Sequence, residues 1–270
     1  MALNLAFETV GSGPPLLMLH GLFGSSGNWR SIARHLAATH TVHSVDLRNH
    51  GASPWSDTMS YVEMADDVLQ LMDRLGLAAP AVIGHSMGGK TAMAMALRQP
   101  QRVGGLIVVD IAPVSYADTL TPFAQAMSGA DVTAAASRAE IQRRLQQAVP
   151  DPGVVPFLMQ NLVLHNDRFD WRINLAGICA AMPQLCGLPS ELLGARFDRP
   201  VTVIAGGRSG YVAQRDGSDF APMFPLARVE VVADAGHWVH ADQPAAFLAL
   251  VKQALQEHGP PGLPVAASTG

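Results

Sequence analysis

Residues 81–91 read Ala81-Val82-Ile83-Gly84-His85-Ser86-Met87-Gly88-Gly89-Lys90-Thr91, and the fold turns on them. Ala81–Gly84 reads as a short strand, apolar enough to be covered on both faces, and Met87–Arg98 reads as a helix. The residues joining them fit Gly-x-Ser-x-Gly. A sharp strand-to-helix turn of this kind holds its serine in a strained conformation with the hydroxyl exposed, and flanking glycines let backbone pass close by. The Met87 amide then sits at a helix N-terminus, where the dipole favours an oxyanion. Ser86 is therefore a candidate nucleophile and Met87 N–H a candidate oxyanion donor. The plainer alternative is a Gly/Ser turn without chemistry.

The same residues satisfy Gly-x4-Gly-Lys-Thr over Gly84–Thr91, the loop that cradles phosphates in nucleotide hydrolases. Leu106–Asp110 could even pass for its magnesium-holding strand end. Against this alternative, the loop comes after several earlier strands, whereas such loops usually follow the first. A single helix separates Lys90 from Asp110, leaving no space for the strand usually placed between them. The rest of the chain also supplies what an acyl-transfer site needs and a phosphate cradle does not.

Outward from the elbow, strand and helix alternate. Leu3–Val10 and Leu16–His20 are predicted strands around a Gly11-Ser12-Gly13-Pro14-Pro15 turn. Asn28–Ala38 has helical spacing through Trp29, Ile32, Ala33 and Leu36, and Thr41–Asp46 is a predicted strand. Ser60-Tyr61-Val62-Glu63 is a capping box that opens a helix to about Leu75. Leu106–Asp110 is a further strand. Such alternation implies right-handed crossovers and a mostly parallel sheet flanked by helices, an α/β class.

From Ile111 to Arg199 that rhythm stops. No strand is evident there, and helix-like stretches at Ala134–Gln147, Pro156–Leu164 and Ile173–Leu185 are broken by Pro, Gly and Asp. It resumes with Val201–Ala205, Val229–Ala233 and a helix at Pro244–Glu257. The expected organisation is a core of residues 1–110 and 200–258 and a helical cap at 111–199. The cap is inserted between the strand ending at Asp110 and the one starting at Val201. Residues 259–270, small and Pro-rich, read as a disordered tail.

Two other loops belong with Ser86. His20-Gly21-Leu22-Phe23-Gly24 follows a strand, and Leu22 N–H is a candidate second oxyanion donor. Ala235-Gly236-His237-Trp238 follows the last strand, which brings His237 to the carboxyl edge of the sheet beside the nucleophile. His237, His240 and Asp242 could suggest a metal, but they lie in one loop with no further ligand motif.

The acid that would orient His237 is less obvious. In hydrolases whose catalytic residues run Ser, acid, His along the chain, it usually follows the strand after the insertion, yet the turn there reads Gly206-Gly207-Arg208-Ser209-Gly210, with Ser209 where an Asp is expected. Asp110 ends an apolar strand and emerges at the same edge one strand earlier. An imidazole needs an anion at Nδ1 whichever strand delivers it. Asp110 is preferred, with Asp216, Asp219 and Asp234 as rivals.

Composition narrows the partners. Apolar residues make up 49% of the chain and charged residues 15%, against about 25% charged in typical domains. The net charge of −4, without clustered Lys and Arg, leaves no nucleic-acid footprint. Cys179 and Cys186 are too few for a disulfide framework and read as reduced packing residues of a cytoplasmic protein. Met1–Val10 lacks the basic and apolar regions of a signal peptide. The uncharged stretch Ile173–Ser190 is long enough to cross a bilayer, but Asn174, Pro183, Gln184, Gly187 and Pro189 interrupt it. No cofactor, metal or membrane span is expected.

Several motifs together resemble the YbfF-type esterases, which are related to alpha/beta-hydrolase domain-containing protein 11. They are His20-Gly-Leu-Phe-Gly-Ser-Ser-Gly-Asn28-Trp29, Asp46-Leu-Arg-Asn-His-Gly51-Ala-Ser53, Gly84-His-Ser-Met-Gly-Gly-Lys90, Val109-Asp-Ile-Ala-Pro113-Val and Ala235-Gly-His-Trp238. The resemblance covers most of the chain and is weakest from about Asp118 to Asp198. It implies the α/β-hydrolase fold with a helical cap, and carboxylesterase activity that extends to acyl-CoA thioesters. It also implies a triad acid at the end of the strand after the nucleophile helix, which is Asp110 here.

The expected mechanism is two-step acyl transfer on a small-molecule ester or thioester. Ser86 attacks, His237 moves the protons, and water resolves the acyl-enzyme. Dehalogenase and epoxide-hydrolase chemistry on this fold generally uses an Asp at the elbow, which Ser86 argues against. Phe23, Trp238, Met127, Leu158 and Met182 are candidate substrate contacts, with Phe157 and Met159 beside them. Arg143-Arg144 could meet CoA phosphates, although a solvated helix face explains them as well. A non-catalytic binding protein on the same fold is the remaining alternative; it predicts a broken triad.

Overall fold

The short apolar runs form strands. They are β1 (Phe7–Val10), β2 (Pro15–Leu19), β3 (Thr41–Val45), β4 (Ala81–His85), β5 (Gly105–Val109), β6 (Leu162–His165), β7 (Arg168–Trp171), β8 (Val201–Gly206) and β9 (Ala227–Val232). The computed structural model describes residues 1–213 and 217–258; the tail at 259–270 and Asp216 lie outside the described residues. A seven-stranded sheet runs in the order β1-β3-β2-β4-β5-β8-β9. β1 is antiparallel to β3 and every other pairing is parallel. β1 is shorter than its apolar pattern suggests, because the amides of Leu3 and Ala6 bond Asp67 and Ser53 side chains instead of a strand.

Helices cover both faces of the sheet. They are α1 (Arg30–Leu36), α2 (Tyr61–Leu75), α3 (Met87–Arg98), α4 (Thr121–Gly129), α5 (Arg138–Ala148), α6 (Val155–Leu158), α7 (Leu175–Leu185), α8 (Val239–Asp242) and α9 (Pro244–Glu257). Leu16, Met18, Ile83, Ile107, Val109 and Ile204 share a core with Trp29 and Leu36 near α1 and with Phe247 and Val251 of α9. Their neighbours in sequence, Leu17, Leu19, Val82, Leu106, Val108 and Val203, join the core that contains α2 and α3. Successive strand residues point to opposite faces, so a run buried on both sides must be apolar throughout. The capping box forms as expected: Ser60 Oγ accepts from Glu63 N–H and Glu63 Oε2 accepts from Ser60 N–H.

The insertion between β5 and β8 departs from an all-helical expectation. Leu162–His165 pairs with Arg168–Trp171 as an antiparallel hairpin, and Thr121–Gly129 is a helix that the sequence pattern did not reveal. The hairpin turn is Asn166-Asp167, with φ 47° and 60°. Two residues at positive φ suit the twist of a two-residue hairpin, and Asn and Asp tolerate that region. The pair was therefore a legible turn signal inside what reads as a helix. The insertion shares a hydrophobic cluster with α2 and α3, through Ala124, Met127, Leu158 and Trp171. Among the described residues no helix is long and apolar enough to cross a membrane.

Candidate active site

Ser86 lies between β4 and α3 at φ 52°, ψ −115°, a region that costs a non-glycine residue of order 1–3 kcal/mol and persists only where the surroundings enforce it. Here the Ser86 amide donates to Val109 O at 3.0 Å. A Cβ on Gly84 would come 2.2 Å from Gly88 O, and one on Gly88 would come 2.4 Å from Leu19 O. Only glycine lets the turn close this tightly against β2.

The turn after β2 is held from several directions. Phe23 has φ 60°; its N–H donates to His50 Nε2 at 3.2 Å and its carbonyl accepts from Asn161 Nδ2 at 2.7 Å. His50 Nε2 accepts, so its Nδ1–H donates to Arg48 O. Burial, with His20 close by, pushes the His50 pKa down to about 3, which keeps the ring neutral in that tautomer. His20 is arranged alike, Nε2 accepting from Leu47 N–H and Nδ1 bonding Gly21 O. Asp46 fastens the neighbouring loops by accepting from the amides of Ser26 and Ala52. Among the described residues neither Leu22 N–H nor Met87 N–H has an acceptor.

Asp110 follows β5 directly. It is fully buried, with φ 49°, and its N–H donates to Ile204 O. Its Oδ2 bonds His237 Nδ1 at 2.7 Å and also accepts from the Ser209 hydroxyl; its Oδ1 accepts from Gly206 N–H at 3.0 Å. These three hydrogen bonds fix the orientation of the buried carboxylate. Ser209, the residue standing where an Asp is expected, thus supports the acid delivered by the neighbouring strand. Of the rival acids among the described residues, Asp234 is exposed before the His237 turn and Asp219 lies in a short turn at Ser218–Phe220.

Two residues of the elbow motif have roles that the sequence does not reveal. His85 lies in the elbow beside Ser86, and its Nε2 bonds His237 O at 2.9 Å. Burial, and then the neighbouring His237 and His240, hold its pKa well below the usual histidine value, so it is neutral and donates. The bond ties the elbow to the His237 loop. Lys90 sits inside α3 with its amine donating to Val114 O and Cys186 O, both at 2.9 Å, and 5.0 Å over the Tyr116 ring. Burial lowers its pKa to about 8. Gly84–Thr91 therefore forms no phosphate cradle: the amine is turned into protein carbonyls and Met87–Thr91 is helix. The other residues considered for a metal diverge, since His240 packs on Trp29 and Asp242 accepts from Gly236 N–H.

Among the described residues two clefts meet at Ser86. The smaller, about 50 Å³, is bordered by Tyr61, Lys90, Tyr116, Met182 and Cys186. The larger, about 230 Å³, is bordered by Phe23, Phe123, Phe157, His237 and Trp238. Ser86 and His237 thus face the same space. Met127 and Leu158 do not border either cleft; both are fully buried core, as apolar residues on amphipathic helices usually are. Nor does Arg144 await a phosphate, since it bonds Glu140 and the carbonyls of Ala130 and Asp131.

A hydroxyl on a strained turn, an imidazole oriented by a carboxylate and two unoccupied amides are the parts needed to attack a carbonyl and hold the resulting oxyanion. Known proteins share this arrangement's frame. The family model described as alpha/beta hydrolase fold matches residues 14–149. The chain is 36% identical over 258 residues to an sn-1-specific diacylglycerol lipase, ABHD11, of Danio rerio, covering 93% of this chain and 81% of that one. It is 36% identical over 264 residues to Esterase YbfF of Escherichia coli K12, covering 95% and 100%. Among solved structures, a marine microorganism esterase superposes with a TM-score of 0.89 at 35% identity, covering 94% of this chain and all of that one.

Proposed function

The chain belongs to the alpha/beta hydrolase fold family, and from that premise we propose that it is a serine esterase in which Ser86, His237 and Asp110 form the catalytic triad. The observation that carries the reading is the 2.7 Å bond from His237 Nδ1 to buried Asp110, made by a histidine that faces the same cleft as Ser86. With Nδ1 engaged by the carboxylate, Nε2 is the nitrogen free to take the serine proton.

The cycle has two halves. Ser86 Oγ bonds to the ester carbonyl carbon while its proton passes to His237, and the oxyanion is held by Leu22 and Met87 N–H. The carbonyl re-forms, the bond to the leaving oxygen breaks, and His237 protonates the departing alcohol. Water then repeats the steps on the acyl-enzyme and releases the acid. Thioesters enter the same cycle, with a thiol leaving. The relatives named esterase and diacylglycerol lipase support an ester as the substrate class.

The test is covalent labelling. A fluorophosphonate should modify the wild-type protein at Ser86, and nitrophenyl acetate should be hydrolysed; both should vanish in Ser86→Ala. Labelling elsewhere, or turnover that survives the substitution, overturns the reading.

A further inference from the structure

The two clefts at Ser86 are not equivalent, because only the larger one touches His237. Resting on the serine-esterase reading, we propose that the smaller cleft receives the acyl chain and the larger one the alcohol. The preferred substrates are then short-acyl esters of bulky aromatic alcohols.

The side on which each group lies follows from the proton transfers. The imidazole that accepts the serine proton must deliver it to the leaving oxygen, so that oxygen and its substituent lie on the imidazole's side. The carbonyl oxygen turns towards the Leu22 and Met87 amides. The acyl chain is left the cleft that His237 does not border, the one lined by Lys90, Tyr61 and Tyr116.

Size and rigidity set the length. At roughly 10–15 Å³ per water-sized group, about 50 Å³ admits about four such groups, an acetyl to a butyryl chain. The wall of this cleft resists widening because hydrogen bonds brace it. The Lys90 amine joins Val114 O to Cys186 O, Tyr61 OH donates to Leu185 O at 2.8 Å, and Tyr116 OH donates to Tyr211 O at 2.9 Å. A longer chain would have to break several of these.

The alcohol side is built differently. About 230 Å³ accommodates a bicyclic ring on the same per-group measure, roughly fifteen to twenty groups. Phe157 and Trp238 lie there with ring centroids 5.3 Å apart, and Phe23 and Phe123 border the same space. Aromatic faces of this kind favour offset or edge-on contact with another ring.

A crossed substrate series tests the assignment: acyl length varied from acetyl to dodecanoyl on a fixed naphthol, and alcohol varied from methanol to naphthol on a fixed acetyl group. We expect kcat/KM to fall roughly tenfold or more beyond butyryl and to rise roughly tenfold from methyl to naphthyl acetate. Met182→Ala should extend the tolerated acyl length while preserving the alcohol ranking. Phe157→Ala should weaken the naphthol preference while preserving the acyl limit. Long-acyl methyl esters outrunning naphthyl acetate, or a flat response to acyl length, would overturn the assignment while leaving the esterase reading intact. No turnover across the whole series, together with no fluorophosphonate label on Ser86, would overturn the esterase reading and this assignment with it.

Discussion

Ser209 donates its hydroxyl to Oδ2 of Asp110, the oxygen that also bonds Nδ1 of His237. The acid and its supporting hydroxyl come from adjacent strands: Asp110 follows β5, and Ser209 lies in the turn after β8. The usual place for the acid has become the place for its donor.

Removing that hydroxyl deletes one hydrogen bond to a charged group, worth about 1.5–3 kcal/mol. In Ser209→Ala we expect kcat to drop roughly ten- to a hundredfold with KM nearly unchanged, because the hydroxyl touches the acid and not the substrate. Steady-state kinetics alongside circular dichroism will show this. Unchanged kcat would mean that Gly206 N–H and His237 suffice to hold the carboxylate.

Asp110→Asn should be far worse. The amide keeps the volume but offers His237 the wrong hydrogen-bonding pattern, and the comparable change in a protease triad costs about 10⁴ in rate. Near-normal turnover in a folded Asp110→Asn protein would remove Asp110 from the triad and reopen the place for Asp219 or Asp234.

His85 links the elbow to the His237 loop through one hydrogen bond. His85→Phe preserves most of the ring volume and loses the donor; net hydrogen-bond energies of about 0.5–1.5 kcal/mol put the fall in kcat near threefold to tenfold. His85→Gln, which can still donate, should recover part of it. Fluorophosphonate labelling rates should follow the same order, since they report the reactivity of Ser86 without the deacylation step. Equal losses in both variants would show that packing around the ring, and not the donated bond, is what matters.

The parts legible in the sequence were those fixed by neighbours along the chain. The strand, Gly-x-Ser-x-Gly and helix succession is local, as is the Ser60–Glu63 capping box, and each forms as read. Asp110 stands out because a polar residue ending the apolar run Leu106–Val109 comes to the sheet edge, although the sequence leaves Asp216, Asp219 and Asp234 as rivals. What sequence hid was long-range. His50 meets Phe23, His85 meets His237, and Ser209 meets Asp110 only after the sheet has assembled. Met127 and Leu158 were misjudged as substrate contacts for the converse reason: an apolar side chain looks the same whether it lines a cleft or fills the core, and these two fill it. In the insertion, the Leu162–Leu164 run suits a helix or a strand equally, and the Asn166-Asp167 turn was the deciding signal.

His240 gives the molecule a pH dependence of stability that can be assigned to one side chain. Its ring lies 4.4 Å from that of Trp29 and 5.9 Å from that of Phe247, and its Nδ1 is buried without a hydrogen-bond partner among the described residues. Burial, and secondarily His237, lower its pKa from 6.5 to about 4. An unfolded chain accepts a proton at this site near pH 6.5, whereas the folded one refuses it until about pH 4. Between those values the unfolded state binds more protons, so stability is full above the window and declines as pH falls through it. At about 1.4 kcal/mol per pH unit the decline is roughly 3 kcal/mol for this group. His20, His50 and His85 are shifted in the same direction, so the wild type should decline more steeply than one group explains. His240→Phe supplies an aromatic ring to Trp29 and Phe247 and removes both the titration and the orphaned nitrogen. Urea melts at pH 7.5, 6 and 5 should show the variant losing less stability than the wild type across the range. If the two proteins decline in parallel, the folded protein accepts a proton at His240 as readily as the unfolded chain does, and packing against Trp29 does not exclude it.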